Sequence, residues 1–213
     1  MLGILCGLAK EASVARRIGN AEVACAAARP QKARWLAREL IKHGATRLLS
    51  FGVAGALEPG LPVGTLVLGT QVTSRDGLWT CDPKWLDELS QKLPMAHCGG
   101  IWGSEILIPT AAEKRALYEK SRCLIVDMES QCAAQIASEA NIPFAVVRAV
   151  CDTSDMQVPP AVMAMIDENG GTNYKGVFLQ ILRRPQQIPD LIHVACGMQK
   201  AFKALEKALA AFD

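Results

Sequence analysis

The sequence predicts one α/β domain, a three-layer α/β/α arrangement in which helices cover both faces of a mixed central sheet. Three observations predict this class. Short apolar runs rich in β-branched residues alternate with amphipathic stretches. Several of these runs are continuously apolar, as is typical of strands buried on both faces. No repeat or linker divides the 213 residues, so we expect a single domain over 1–213, with a distinctive segment at about 156–190.

The first half of the chain supplies four predicted strands and two predicted helices. Pro30 suits the first position of a helix over PQKARWLARELIKHG, and Gly44 suits its C-terminal stop. DPKWLDELSQKL predicts a second helix, because Asp82 can cap its N-terminus and Pro83 follows. The apolar runs between them are the predicted strands: LGILCGL, AEVACAAA, TRLLSFGV and GTLVLGTQVTS.

The second half continues this alternation. Thr110 and Glu113 form a capping-box pattern at the start of TAAEKRALYEK, which predicts a helix. CLIV, ESQCAAQIASEA and IPFAVVRAV form a strand, a helix and a strand, so we expect a parallel strand pair joined by a helix. Apolar residues at steps of three and four predict a long C-terminal amphipathic helix: Leu191, Ala195, Met198, Phe202, Leu205, Leu209 and Phe212.

Composition excludes several classes of protein. The net charge of +2 comes from 23 basic and 21 acidic residues without blocks of one sign, so we expect no nucleic-acid partner. No stretch approaches the roughly 18 apolar residues of a membrane span. Eight cysteines without a C-x-x-C pair, and an N-terminus without a basic leader, predict a cytoplasmic protein. The three histidines are isolated, so we expect no metal site.

Carboxylates follow the predicted strands. Glu11, Asp127, Glu129 and Asp152 each come after an apolar run, and in such sheets ligands bind beyond the carboxyl ends of the strands. Each acid alone also has a structural interpretation as a helix cap or an ion-pair partner. Several acids at neighbouring strand ends favour a site. We expect Arg148, inside VVRAV, to pair with a buried carboxylate rather than with a substrate.

Four motifs carry a family resemblance. GILCGLAKEA, SFGVAGALEPGLPVGTLVLG, VDMES and PFAVVRAVCDTSD stand in the order and spacing of the purine nucleoside phosphorylase and nucleosidase superfamily. The chain resembles this family from residue 3 to about residue 155, and most of all its methylthioadenosine/S-adenosylhomocysteine nucleosidase branch. The resemblance implies cleavage of the N-glycosidic bond of a purine nucleoside, no cofactor, and a homodimer or larger homo-oligomer.

The resemblance also implies roles for residues. Asp152 matches the acid that faces purine N7 and helps the base to depart. Glu11 matches the acid that orients and deprotonates the attacking water. Within VDMES, Glu129 would accept hydrogen bonds from the ribose hydroxyls, while Met128 packs against the sugar. We therefore expect Glu11 and Asp152 to be catalytic, and Met128 and Glu129 to bind ribose.

The purine would contact two other segments. The turn at Ala54 and Gly55 would bring backbone close to the ligand without a bulky side chain. Ile106 and Leu107 fall where the family lays the base against a side chain and reads its edge with backbone groups. Ile106 replaces the aromatic residue that nucleosidases commonly carry, so stacking is expected to be weaker there or to come from another residue.

The sequence leaves two candidates for the nucleophile, water and inorganic phosphate. Phosphorylases of this superfamily hold phosphate with an arginine and a hydroxyl residue around the glycine turn. In this chain Ser50 takes the arginine position and Val53 the hydroxyl position, which favours hydrolysis. Arg16, Arg17 or Arg75 could supply a different anion site, so phosphate remains open as a co-substrate.

The segment after Asp155 predicts the substrate. Its proline pair and LRRP step resemble the hopanoid-associated branch, which is linked to the removal of adenine from adenosylhopane. The alternatives are a methylthioadenosine/S-adenosylhomocysteine-type nucleosidase and a non-catalytic nucleoside-binding protein. YKGVFLQILRR, at 174–184, is basic and apolar. It reads either as a helix that contacts a membrane or a lipid tail, or as a helix packed on the core.

Overall fold

The structure is a computed structural model that describes residues 1–159, 161–164, 166–173, 179 and 185–212. The strands of this described part are β1 (Leu2–Cys6), β2 (Ala21–Cys25), β3 (Arg47–Ala56), β4 (Leu66–Thr73), β5 (Leu78–Thr80), β6 (His97–Gly103), β7 (Ile125–Asp127) and β8 (Phe144–Asp152). Its α-helices are α1 (Ala9–Ala15), α2 (Pro30–Lys42), α3 (Pro83–Lys92), α4 (Ala111–Ser121), α5 (Ser130–Glu139), α6 (Ala161–Ala164) and α7 (Ile188–Ala208).

The strands form one mixed sheet that closes on itself. Its order is β2-β1-β3-β7-β6-β4-β5, and β8 pairs with both β3 and β4. The strands β3, β8, β4, β6 and β7 therefore form a closed ring, with β1 and β2 extending from β3. β1, β2, β3 and β8 run parallel, whereas β4 is antiparallel to β8. The predicted α/β class with a mixed central sheet is confirmed.

The predicted parallel pair of β7 and β8 is wrong. β7 pairs in parallel with β6 and antiparallel with β3, while β8 lies on β3 in parallel and on β4 antiparallel. The three residues of β7 reach only the end of β3, where Gly55 pairs with Val126. β8 pairs with β3 from Leu48 to Gly55, and β1 pairs with the start of β3. The apolar pattern revealed both strands but not which neighbour each one chooses.

Alternate residues of the central strands enter different sides of the core. Leu5 and Val146 pack in the cluster that α2 and α5 cover, whereas Ile4 and Val147 pack in the cluster that α1, α3 and α7 cover. All four side chains are buried. Because both faces are covered, these strands can be apolar at every position, which explains the uninterrupted runs in the sequence.

The predicted helix ends are confirmed. Asp82 accepts a hydrogen bond from the Trp85 N–H at 2.8 Å, and Thr110 and Glu113 form the capping box of α4. Gly44, with φ of +99°, follows the end of α2 in a conformation that favours glycine. The apolar stripe of the C-terminal helix is buried at Phe202 and Leu205 on α7.

All eight cysteines are free thiols. None of the helices in the described ranges is long and apolar enough to cross a membrane. Within the same ranges, no three histidine, cysteine or acidic side chains are grouped as metal ligands. The expected helix at 174–184 lies outside the described residues except for Leu179.

Candidate active site

The candidate site lies at the carboxyl ends of β1, β3 and β8. Arg148 and Asp152 belong to β8 and pair with Gly52 and Gly55 of the neighbouring strand β3. Glu11 lies on α1, which follows β1 directly. The two glycines sit under two groups of charged side chains, one around Arg148 and the other around Asp152.

Glu11 is held by the start of its own helix. Its carboxylate accepts hydrogen bonds from the backbone N–H groups of Gly7, Leu8 and Val53, each at 2.8 Å. The side chain is 1% exposed. Burial raises the pKa of Glu11 above its ordinary value, while Arg148 and the three N–H groups oppose the rise. A carboxyl group shifted in this direction is better suited to take a proton from water.

Arg148 lies at the centre of a buried charge cluster. Its Nε forms an ion pair with Asp127 Oδ2 at 2.7 Å, although the angle is not that of a hydrogen bond. Its Nη2 donates to Glu129 Oε2 at 3.3 Å and to Ser50 Oγ at 2.8 Å. Asp127 also accepts the backbone N–H of Ser130 at 2.9 Å. The expected pairing of Arg148 with buried carboxylates is confirmed.

Glu129 completes this cluster. It is 5% exposed, and its carboxylate lies so close to Gly7 that an added Cβ would approach Oε1 to 2.6 Å. Burial raises the pKa of Glu129 to about 8, with Asp127 and Glu11 adding to the rise and Arg148 opposing it. One guanidinium faces three carboxyl groups, so the cluster favours keeping a proton. Met128 is half-buried beside Glu129.

The glycines of β3 make both charge groups sterically feasible. A Cβ at Gly52 would lie 2.5 Å from Glu11 Cδ and 2.6 Å from Arg148 Nη1. At Gly55 a Cβ would lie 3.1 Å and 3.2 Å from the two carboxylate oxygens of Asp152. Ala54, between these glycines, is buried. The segment GVAG therefore brings bare backbone against the acids. The predicted turn at Ala54 and Gly55 is wrong, because both residues belong to strand β3, and their contact with a ligand stays a prediction.

Asp152 has a partner that the sequence did not reveal. Its carboxylate forms an ion pair with Lys114 of α4, a side chain that is only 1% exposed. Lys114 Nζ also donates to the carbonyl oxygens of Thr153 at 2.8 Å and Met156 at 3.0 Å. In the sequence, Lys114 is one of several charged residues of α4. The available signal was its spacing of three and four from the half-buried Leu117 and Tyr118.

The predicted base-contacting loop is adjacent to the segment that follows Asp152. The Val158 N–H donates to Pro109 O at 2.8 Å, which ties this loop to the segment after Asp152. Ile106 is 64% exposed, and both its carbonyl and its N–H are bonded to Ser104 Oγ, at 2.7 Å and 3.3 Å. Leu107 is half-buried. The Ile106 side chain therefore lies at the surface, and the contact of Ile106 and Leu107 with the base stays a prediction.

The closed mixed sheet matches the fold of nucleoside phosphorylases and nucleosidases. A family model described as the phosphorylase superfamily matches residues 29–175. The chain belongs to this superfamily.

Solved structures share the fold over nearly the whole chain. A methylthioadenosine/S-adenosylhomocysteine nucleosidase from Neisseria meningitidis, bound to methylthio-immucillin-A, matches with a TM-score of 0.76 at 15% identity, covering 99% of this chain and 97% of its own. A futalosine hydrolase from Helicobacter pylori matches with a TM-score of 0.75 at 14% identity, covering 99% and 96%. An S-adenosylhomocysteine nucleosidase from Streptococcus pyogenes gives 0.75 at 18%, covering 99% and 94%.

Proposed function

We propose that this protein cleaves the N-glycosidic bond of a 5′-substituted adenosine and releases adenine, with water as the nucleophile. One observation carries the proposal: Glu11, Glu129 and Asp152 lie buried at one edge of the sheet, held by the Arg148 cluster and by Lys114. Three buried carboxyl groups at a strand edge are costly unless they serve a ligand or a network. The resemblance of the four motifs to the nucleosidases supplies the chemistry.

The reaction needs a proton donor beside the purine and a proton acceptor beside the attacking water. As the bond breaks, the sugar gains oxocarbenium character and the purine gains negative charge, so a proton at N7 stabilises the leaving base. We assign this proton donation to Asp152. Glu11 takes the proton of the attacking water, and Glu129 holds the ribose hydroxyls so that the water and the base stay aligned on opposite faces.

The charge pairing favours water over phosphate. The two buried cations of the described site, Arg148 and Lys114, are both paired with carboxylates. Ser50, at the position where phosphorylases carry arginine, is bonded to Arg148 and to Ser130 Oγ at 2.9 Å. An incoming phosphate would therefore find both of these cations already paired, whereas a neutral water needs no counter-charge.

An apolar cavity supports a hydrocarbon-like 5′ substituent, and we favour adenosylhopane as the substrate. The cavity of about 450 Å³ lies between α7 and residues 162, 166 and 170–172. Leu8, whose backbone N–H binds Glu11, also lines this cavity, so it borders the proposed water-activating group. Most of the other lining side chains are apolar: Val162, Ile166, Leu191, Val194, Ala195, Met198 and Phe202.

The test is adenine release from adenosylhopane and from methylthioadenosine, each with and without phosphate. We expect phosphate-independent release from adenosylhopane, and a loss of about 1000-fold in Asp152→Asn, within the usual range for a general acid. The control is Asp190→Asn, at an exposed acid in the first turn of α7, which should stay within about twofold.

Two cavity variants separate the substrates. Val194→Asp places a charge in the apolar cavity and should weaken cleavage of adenosylhopane but not of methylthioadenosine. His193→Asp changes the exposed neighbouring residue and should alter neither. Rapid cleavage of methylthioadenosine alone would favour the methylthioadenosine/S-adenosylhomocysteine alternative. Binding of nucleoside without any release would mean a non-catalytic nucleoside-binding protein.

A further inference from the structure

Lys114 is a buried ammonium group with three acceptors. Asp152, the carbonyl of Thr153 and the carbonyl of Met156 surround its Nζ. An ammonium group has three N–H donors, so this arrangement satisfies it completely. Burial of a charged amine is costly unless it is paired and hydrogen-bonded. Lys114 therefore has the contacts that a buried cation needs, and it lies directly against Asp152, the proposed acid for the leaving group.

This pairing changes where the catalytic proton is stored. Donation from Asp152 to purine N7 requires a proton on the carboxyl group. The hydrogen bond between the two groups is donated by Lys114 Nζ and accepted by Asp152 Oδ2, so the lysine holds a proton directly beside the acid. Two other titratable groups face this pair. Cys151 lies beside Asp152 on β8, with Sγ at 3.2 Å from Oδ1, and Asp155 interacts with Lys114 through space. Glu11 in turn acts on Cys151.

We propose that Lys114 is the source of the proton that Asp152 passes to the departing purine. The inference rests on the proposed function and deepens it. As the C1′–N9 bond breaks, its electron pair goes to the purine, N7 takes a proton from Asp152, and Asp152 takes one from Lys114 Nζ. Lys114 is left as a neutral amine held by the carbonyls of Thr153 and Met156. Water forms the new bond to C1′, and its proton goes to Glu11.

Two substrates with different leaving groups distinguish proton supply from mere support. Adenine needs a proton to depart, whereas the p-nitrophenolate of p-nitrophenyl β-riboside departs without one. We expect Lys114→Met to lower kcat for adenine release by about 100-fold or more, and kcat for p-nitrophenolate release by less than about threefold. Lys120→Met, at an exposed lysine of the same helix, is the control and should change neither.

Lys114→Arg supplies a second variant if the methionine variant does not fold. Arginine keeps the positive charge beside Asp152 but does not give up its proton in proteins. We expect this variant to fail in adenine release while it still splits the p-nitrophenyl riboside. Thermal melting of each variant checks that the fold is retained.

Three outcomes would overturn the inference. Equal loss on both substrates would make Lys114 a support for Asp152 alone, and full adenine release by Lys114→Arg would show that only charge is needed. Unchanged adenine release in Lys114→Met would exclude any role in the reaction. If the wild type splits both substrates, each of these results leaves the proposed function intact. If the wild type splits neither, the proposed function and the inference fall together.

Discussion

The two charge groups over β3 contain similar residues but balance their charges in opposite ways. Above Gly52, the single guanidinium of Arg148 faces the carboxyl groups of Glu11, Asp127 and Glu129. Beside Gly55, one ammonium faces one carboxylate. The first group has an excess of acid, so burial favours keeping a proton there. The second is balanced. A reaction that takes a proton at one end and gives one at the other can use this difference.

The largest expected effect comes from removal of the central cation. Arg148→Met would leave three buried carboxyl groups without their guanidinium, and such a break typically costs about 3–5 kcal/mol of unfolding free energy. Urea denaturation followed by circular dichroism measures this loss. Arg115→Met, at an exposed arginine of α4, is the matched control and should stay within about 0.5 kcal/mol. An Arg148→Met protein as stable as the wild type would contradict the central place given to this cluster.

The second effect compares the two glycines directly. Gly52→Ala would push a methyl group into both Glu11 and Arg148, whereas Gly55→Ala would only approach the edge of Asp152. We expect Gly52→Ala to cost about 1–3 kcal/mol of stability, as overpacking does, and to remove most activity. Gly55→Ala should cause a smaller loss of stability and a smaller loss of activity.

Equilibrium unfolding and adenine release measure the glycine variants side by side. Gly19→Ala, where an added Cβ meets nothing within 4 Å, controls for the loss of backbone freedom alone. Equal effects at Gly52 and Gly55 would show that the two charge groups do not differ in how tightly they are packed.

The smallest expected effect is a pH dependence of stability. Burial raises the folded-state pKa of Glu129 from 4.5 to about 8, so the folded state binds this proton more tightly than the unfolded chain does. The resulting stabilisation is complete below about pH 4.5 and is lost as the pH rises through about 8. Between about pH 4.5 and pH 8, the unfolding free energy should therefore fall in the wild type by about 1 kcal/mol or more beyond its fall in Glu129→Gln.

Glu206→Gln, at an exposed glutamate of α7, is the control for this pH series and should follow the wild type. A Glu129→Gln protein whose pH dependence equals that of the wild type would mean that Glu129 is ionised across the whole range. Another carboxyl group of the Arg148 cluster would then hold the proton.

The fold was largely predictable, because its signals are local. Continuous apolar runs identified the buried strands, and Asp82 and the Thr110–Glu113 pair identified the helix starts that the structure shows. The pairing of β7 was not predictable in the same way. Its three residues, two of them apolar, are compatible with several neighbours, and only the closure of the ring selects β3 and β6.

The site residues also divide into those with a local sequence signal and those without one. Glu11, Glu129 and Asp152 were found because each follows an apolar run in a recognisable motif. Lys114 was missed because its partner lies 38 positions away, and its own helix is rich in charged residues that face solvent. The contact of Ile106 with the base stays a prediction, since the structure shows only that its backbone groups bind Ser104. Local patterns thus reveal which residues end a strand, but not which distant side chain meets them.

The most direct test of water as the nucleophile is adenine release by the wild type in ¹⁸O-labelled water that also contains phosphate. Rapid quenching is followed by mass spectrometry of the sugar product. Free sugar incubated in the same water controls for exchange of the anomeric oxygen. Water activated by Glu11 predicts one labelled oxygen at C1′ and no sugar phosphate. A sugar 1-phosphate without label would contradict it, and would place an anion site where the structure pairs every buried cation of the described site with a carboxylate.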